Sequence, residues 1–239
     1  MKPLIRLLCL TGLLAVFPSV SSSQSLIVGI PNAEATPRGA WGITHESQVK
    51  PFDDPRGWNT FQFITYGIGR GTELALSFVN FGRPATGNRT IAFGFKTVLE
   101  AEQADLRRWE SKWTLGAMVP KSVDARGAGL WAYSSGSVRI PRARTRVTVG
   151  PTYGTPQLFG VEKAGMMAGV EQPITQRISF VADWYSGKHD LAASIPAIQF
   201  NLPREVILIA GYKIPNPGAP GGHALVLEAA AIFGRKGGH

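Results

Sequence analysis

Bulky apolar residues alternate with small or polar ones through most of the chain, in segments of about ten residues that Gly, Pro and Asn separate. Alternation with a period of two predicts β-strands. The segments that show it are residues 38–46, 59–68, 72–81, 90–99, 113–119, 129–140, 145–153, 165–172, 177–186, 194–202, 206–214 and 224–233. The chain is therefore predicted to be all-β with about 12 strands, and 10 strands are the alternative because the middle segments alternate weakly.

The less bulky face of these segments distinguishes two kinds of all-β fold. A soluble β-sandwich exposes that face to water and favours Lys, Glu and Thr there. Here the face is rich in residues with small side chains: Ala75, Ser77, Ala92, Gly94, Gly169, Gly211 and Ala230. Small residues fit the narrow interior of a closed barrel, while bulky apolar residues contact lipid. An antiparallel transmembrane β-barrel is predicted, with a soluble periplasmic β-sandwich that binds a ligand as an alternative.

Aromatic residues with a polar atom lie mostly near the ends of the alternating segments. They are Trp41, Trp58, Trp113, Trp131, Trp184, Tyr66, Tyr153 and Tyr212. Membrane barrels concentrate such residues in two girdles at the membrane interfaces. Ordinary core aromatics are the alternative interpretation.

The first 23 residues have the pattern of a secretory signal peptide. Lys2 and Arg6 precede an apolar run that is too short to span a bilayer as a helix, and serines follow it. Cleavage is expected near Ser23, with a later cut after Ala35 as the less favoured site. Residues 24–239 are then a single β-barrel domain, and because Cys9 is the only cysteine, that domain has no disulfide.

The last strand carries a resemblance to a known class of proteins. Residues Ala224–Phe233 alternate apolar residues and end in an aromatic, and so resemble the terminal strand of Gram-negative outer-membrane β-barrels. Residues 182–188, 201–203 and 211–216 are similar to hairpins of small porin-like proteins of unassigned function. The resemblance implies an outer-membrane location, contact with outer-membrane lipids and lipopolysaccharide, and recognition by the barrel-assembly machinery. It implies a small pore or a structural or surface protein.

The net charge of +9 raises the question of whether the protein binds an anionic partner. Lys and Arg number 25 against 16 acidic residues, but no compact basic run indicates nucleic acid. The densest basic group is Arg139, Arg142, Arg144 and Arg146. We interpret it as a solvated loop or strand end; binding of lipopolysaccharide phosphates or of an anionic solute is the alternative.

Six charged residues are predicted to face the interior of the barrel: Glu73, Lys96, Glu171, Asp183, Lys213 and Glu228. Charges in a narrow interior are costly unless they are paired or hydrated. They form either a network of ion pairs that fills the barrel or a polar pore that selects a solute. Because Asp183, Lys213 and Glu228 belong to neighbouring strands, Lys213 is expected to pair with one of the two acids.

The sequence gives little indication of catalysis, so we expect a protein that is not an enzyme. Ser186, His189 and Asp190 are close in sequence and are of the residue types used by lipid-modifying barrel enzymes, which keeps such an enzyme as an alternative. Their closeness along one turn does not bring them together as a triad, and we interpret them as loop residues. No metal-ligand spacing is found and no cofactor is expected.

Overall fold

The computed structural model describes residues 26–52, 57–82, 84–100 and 109–234. The predicted signal peptide, residues 1–23, lies outside the described residues. Both the signal peptide and the single domain over residues 24–239 remain predictions. Among the residues that the structure describes, no helix is long and apolar enough to cross a bilayer.

The described chain forms one closed antiparallel barrel of twelve strands. The strands are β1 (Trp41–Lys50), β2 (Gly57–Gly69), β3 (Thr72–Val79), β4 (Thr90–Glu100), β5 (Glu110–Ser122), β6 (Trp131–Arg139), β7 (Arg146–Gly154), β8 (Ala164–Pro173), β9 (Ile178–Tyr185), β10 (Ala193–Leu202), β11 (Val206–Pro215) and β12 (Ala224–Phe233). Each strand pairs with its neighbours in sequence, and β1 closes the barrel by pairing with β12. The twelve-strand barrel is confirmed; the ten-strand and β-sandwich alternatives are wrong, because a single sheet closes on itself.

The alternation of the sequence corresponds to the two faces of the barrel wall. In β4, Phe93 lies on the outer face with 59% of its surface exposed, whereas the neighbouring Ala92 faces inward and is 6% exposed. In β12, Leu227 is 56% exposed on the outside and Val226 is fully buried. Successive side chains of a strand point to opposite faces, so the apolar residues of one register form the outer surface.

The two ends of the barrel carry different sets of connections. At the end where β1 begins and β12 ends, which we call the terminal rim, residues 70–71, 101–109, 140–145, 174–177 and 203–205 connect the strands, and all of these connections except 101–109 are short. The opposite end, the distal rim, carries the connections 51–56, 80–89, 123–130, 155–163, 186–192 and 216–223. One of them contains a single-turn helix, α1 (Pro156–Phe159), which the sequence pattern does not predict.

The rim aromatics fall into two groups on the outer face. Cross-strand pairing places Trp41 opposite Tyr66 at the terminal rim, where their rings are 4.7 Å apart. Tyr153 and Trp184 are outward and partly exposed at the distal rim. Trp131 is the exception, because its register in β6 turns it into the barrel, where its indole N–H donates to Thr152 Oγ1.

The charged stretch from Glu100 to Lys112 separates two of the alternating segments of the sequence. Its two ends are strand, since β4 continues to Glu100 and β5 begins at Glu110. In this register Glu100 and Lys112 lie opposite each other, and their side chains form an ion pair of 2.8 Å. Residues 101–108 lie outside the described residues.

Candidate functional site

The interior of the barrel is filled by the segment that precedes β1. Residues 26–40, which we call the plug, run from the terminal rim into the lumen. Ile27, Val28 and Ile30 are at most 2% exposed, and they join a hydrophobic cluster with inward side chains of the wall. Burying each of these three side chains contributes roughly 1.5–3 kcal/mol. In the described structure the plug therefore occupies the lumen beside these wall residues.

The tip of the plug, residues 27–30, is a tight turn that one carboxylate holds. The turn is closed by the amide of Ile27 donating to the carbonyl of Ile30. Asp183 Oδ2 on β9 accepts hydrogen bonds from three successive backbone amides of this turn, at 3.1, 2.6 and 3.0 Å. Three convergent amides form a concave anion site, and its anion here is a side chain of the wall. Tyr185 adds a hydrogen bond from its hydroxyl to the carbonyl of Gly29.

Nearer the terminal rim, the plug is held by an ionic cluster around Glu34. Its carboxylate lies 2.7 Å from Arg146 Nη1 on β7 and 3.1 Å from Lys112 Nζ on β5. Burial opposes the charge on Glu34, but the two cations outweigh it and hold the pKa of Glu34 below its ordinary value of 4.5. Glu34 is therefore ionised at neutral pH and ties the plug to two strands.

A second group of polar contacts joins the plug to β3 and β4. Glu73 accepts hydrogen bonds from the backbone amide and the hydroxyl of Thr36, at 2.6 and 2.8 Å. The ammonium of Lys96 lies 3.4 Å from Glu73 and donates to the side chain of Asn32 at 3.3 Å. Two predicted interior charges of opposite sign are thus paired with each other, and both also bind the plug.

A glycine of the wall makes room for the plug where it reaches β2. Gly67 donates to the carbonyl of Ala40 at 3.1 Å and accepts from the amide of Gly39 at 2.8 Å. A Cβ atom at Gly67 would overlap the carbonyl oxygens of Thr36 and Pro37. Only a residue without a side chain allows the two backbones to come this close.

An apolar cavity of about 150 Å³ remains beside the plug, and we call it the chamber. Phe61 and Phe63 of β2 line it, together with Met118, Trp131, Tyr133 and Tyr185. Val28 and Pro31 of the plug contribute to another part of its wall. The chamber extends towards the distal rim, since Leu191 of the connection 186–192 also lines it.

The six charges predicted from the sequence all lie on inward registers of the wall. Three of them are outside the contacts described so far. Glu171 is paired in register with Arg146, and Glu228 lies opposite Glu46 of β1. Lys213 donates to the carbonyl of Asp190 at 3.0 Å. Asp183, one of the two acids expected beside Lys213, binds the plug. Selection of a solute by these six charges remains a prediction.

The four arginines of the basic group have different environments. Arg146 is 3% exposed and binds Glu34, and Arg139 lies 3.2 Å from Glu110. Arg142 and Arg144 are exposed in the connection 140–145 at the terminal rim. Of the four, only Arg146 is buried in the ionic cluster, and the exposed Arg139 contacts the edge of this cluster through Glu110.

The residues considered for catalysis are engaged in other contacts. Ser186 Oγ accepts a hydrogen bond from the amide of Met166 at 2.7 Å. The imidazole of His189 is stacked on Phe159 of α1, with ring centroids 4.1 Å apart and planes 5° apart. Asp190 contributes its backbone carbonyl to Lys213. These contacts do not join the three side chains as nucleophile, base and acid.

The alternation along the chain indicates neither the plug nor the chamber. The plug lacks sustained alternation, so a search for strands passes over it, although residues 26–30 are a short apolar run ahead of the first strand. Phe61 and Phe63 share a face, as the pattern indicates, but cross-strand pairing to β1 and β3 turns that face inward. The signal available for the chamber was this aromatic pair, of which Phe63 lies opposite the small Ser77 of β3.

Neither a protein-family model nor a curated protein matches this chain. Among solved structures, the chain is similar to the outer membrane protein Omp33 of Acinetobacter baumannii. The alignment covers 82% of this chain and 98% of that chain, with a TM-score of 0.43 and 10% sequence identity.

Proposed function

We propose that the protein is a non-enzymatic outer-membrane barrel that forms a small pore, and that the plug closes this pore in the described state. The observation that carries the proposal is the way in which the plug is held. It is anchored by discrete polar contacts to the wall, through Asp183, Glu73 and the cations around Glu34. Contacts of this kind can be broken one at a time without cutting the strand ladder.

Insertion in a membrane is supported by the outer surface. Large apolar side chains from strands all around the barrel are exposed there, among them Ile43, Phe93, Trp113, Val149, Phe200 and Leu227. An apolar surface of this extent is unfavourable in water and favourable against acyl chains. Closure of the ladder leaves no strand edge unpaired, which a hydrocarbon environment requires. With an even number of strands, the terminal rim is assigned to the periplasmic side.

Planar-bilayer recordings of the refolded protein test the proposal. The wild-type barrel is expected to conduct rarely, in brief openings. The double variant Asp183→Ala, Glu34→Gln releases both the tip and the ionic cluster, and it is expected to conduct persistently. Asp190→Ala, which removes a carboxylate from the connection 186–192, is the matched control and should behave like the wild type. The proposal is wrong if the double variant inserts and folds, yet remains silent.

A structural role without conduction is the second candidate, and the packed interior favours it. Wall residues such as Val181, Ile209 and Val226 form one hydrophobic cluster with the plug. An interior of this kind stabilises the barrel in the manner of a protein core. Silence of every folded variant in the recordings would support this role over the pore.

A further inference from the structure

Every short connection of the terminal rim carries an exposed arginine. Five such side chains, which we call the arginine ring, come from these connections: Arg70, Arg142, Arg144, Arg177 and Arg204. We propose that the arginine ring binds the phosphate groups of anionic phospholipids in the leaflet that surrounds the terminal rim. This inference rests on the proposed insertion of the barrel in a membrane, and it holds whether or not the barrel conducts.

The guanidinium groups of the ring are exposed and available to a ligand. Among the residues that the structure describes, none of the five lies within ion-pair distance of a carboxylate or donates a side-chain hydrogen bond. By contrast, Arg89 at the distal rim binds Asp124. A guanidinium group presents its N–H donors as a planar fork, which fits two oxygens of one phosphate. The ring therefore offers several such forks to phosphate groups.

Three of the five arginines stand at turn positions that disfavour their residue type. The angle φ is 53° at Arg70, 56° at Arg144 and 63° at Arg204. This left-handed region favours Gly and Asn, because the Cβ atom of most other residues crowds the backbone there. The conformation of the turns therefore does not account for arginine at these positions, and we attribute its presence to the guanidinium group.

The arginines lie close to the edge of the apolar outer surface. Ile68, which is 49% exposed, comes two residues before Arg70, and Leu202, which is 40% exposed, comes two residues before Arg204. Two residues of a strand span roughly 7 Å. The polar interface on each side of a bilayer is about 5–8 Å thick. When Ile68 and Leu202 contact acyl chains, these two arginines are therefore at the depth of the lipid phosphates.

The spacing of the ring favours several separate phosphates over one compact polyanion. Residues 140–145, 174–177 and 203–205 connect strand pairs that follow one another around the barrel, at intervals of two strands. Neighbouring strands are about 4.8 Å apart, so these connections are separated by roughly 10 Å. A lipid leaflet presents a separate phosphate on each molecule and can supply one at each connection. Each arginine near an anionic surface is expected to strengthen the interaction about fivefold.

Native mass spectrometry of the refolded full chain in detergent tests the ring. The protein is equilibrated with equal amounts of phosphatidylglycerol and phosphatidylcholine that have the same acyl chains, and the lipids retained on the barrel are counted. The wild type is expected to prefer phosphatidylglycerol about tenfold. The triple variant Arg70→Asn, Arg144→Asn, Arg204→Asn should lower this preference at least about fivefold. Because Asn tolerates a positive φ, these substitutions leave the turns intact.

A matched control removes three cations from the other end of the barrel. The variant Lys121→Asn, Lys163→Asn, Lys188→Asn changes exposed lysines at the distal rim and should keep the wild-type preference. Replacing the three arginines of the test variant by lysine retains the charge but not the fork, and should lower the preference about threefold. Absence of a preference in the wild type, an equal loss in the distal-rim variant, or an undiminished preference in the lysine variant would each overturn the inference.

Failure of the ring can be distinguished from failure of the proposed membrane location. Folding of every variant is checked by the shift in gel migration on boiling, and insertion is checked by flotation of the wild type with vesicles. A wild type that folds and remains dissolved without detergent or lipid would overturn the membrane location. A barrel that folds and inserts, yet shows no preference for phosphatidylglycerol, would overturn the arginine ring alone.

Discussion

The two ends of the plug are held by different forces. Around Glu34 and Thr36, near the terminal rim, the plug contacts the wall through ion pairs and hydrogen bonds of long side chains. At the tip, Ile27, Val28 and Ile30 are buried among apolar side chains, and one carboxylate binds the backbone. Apolar burial depends on area and is nearly independent of pH and salt, whereas ion pairs depend on both. Apolar burial at the tip therefore supplies most of the free energy that holds the plug. The ion pairs near the terminal rim make the binding of the plug depend on pH and salt.

The largest expected effect comes from Asp183→Ala. Three buried amides lose their acceptor, at a cost of about 3–5 kcal/mol to the anchoring of the tip. Hydrogen–deuterium exchange of residues 26–31 should accelerate strongly, while the strand ladder remains protected. Asp190→Ala should leave exchange of the tip unchanged. Unaltered exchange in Asp183→Ala would mean that apolar packing alone holds the tip, and that the carboxylate of Asp183 does not contribute to its anchoring.

The next effect is expected from Gly67→Ala. The added methyl group would occupy the space of the Thr36 and Pro37 carbonyls, so either the plug shifts or β2 bends, at about 3 kcal/mol. Exchange of residues 36–40 should increase more than that of residues 27–30. The control is Gly136→Ala, where the new methyl would meet only the ring of Trp113 at ordinary contact distance. Loosening of the whole plug in Gly67→Ala would show that its two ends are coupled.

A smaller effect is expected from Glu34→Gln, which removes the charge facing Arg146 and Lys112. The anchoring lost is about 2 kcal/mol, because the two cations then face a neutral amide oxygen instead of a carboxylate. Protonation of Glu34 at low pH should weaken the anchoring of the plug in the wild type in the same way. The pKa of Glu34 is lowered by folding, so its contribution is complete above 4.5 and is lost as pH falls below that value. Channel openings should increase below pH 4.5 in the wild type and depend less on pH in Glu34→Gln.

The smallest effect concerns the stack of His189 on Phe159 at the distal rim. Burial lowers the pKa of His189 below its ordinary value of 6.5, so the fold favours the neutral ring. The contribution of the stack is present above pH 6.5 and decreases as pH falls through and below it. Exchange protection of residues 156–159, corrected for intrinsic rates, should fall modestly at pH 5.5. His189→Phe should abolish this dependence; an identical dependence in that variant would assign it to another group.

The barrel wall could be predicted from the sequence because each of its strands has a periodic signal. Residues such as Phe93 and Ala92 occupy faces that differ in solvent and in space, and a period of two reports that difference directly. Even the weakly alternating segments around β6 and β7 are strands within a few residues of the predicted bounds. The ends were less accurate at β5, where Glu110 and Lys112 continue the ladder because their partners are polar as well: Arg139 and Ser137 on β6, and Glu100 on β4.

The contents of the barrel could not be predicted in the same way. The plug has no regular backbone, and its contacts join residues more than 150 positions apart, such as Gly29 and Asp183. The alternation places Asp183 on the inner face, but it does not indicate that the partner is a backbone turn. The position of Trp131 near a segment end places it with the rim aromatics in the prediction. A shift of one residue along a strand moves a side chain from the lipid face to the lumen, and the side chain of Trp131 faces the lumen.

The pairing of β1 with β12 has a consequence for how the protein is assembled. This seam joins Trp41 to Phe233 and Val49 to Leu225, so its formation closes almost the entire chain into a ring. Contacts so distant along the chain carry a large loop-closure entropy and form late. Residues 26–40 precede β1 in the chain, and they can bind Asp183, Glu73 and Arg146 of three strands before β1 pairs with β12. Because these contacts do not depend on the seam, we expect that weakening them lowers the yield of assembled protein.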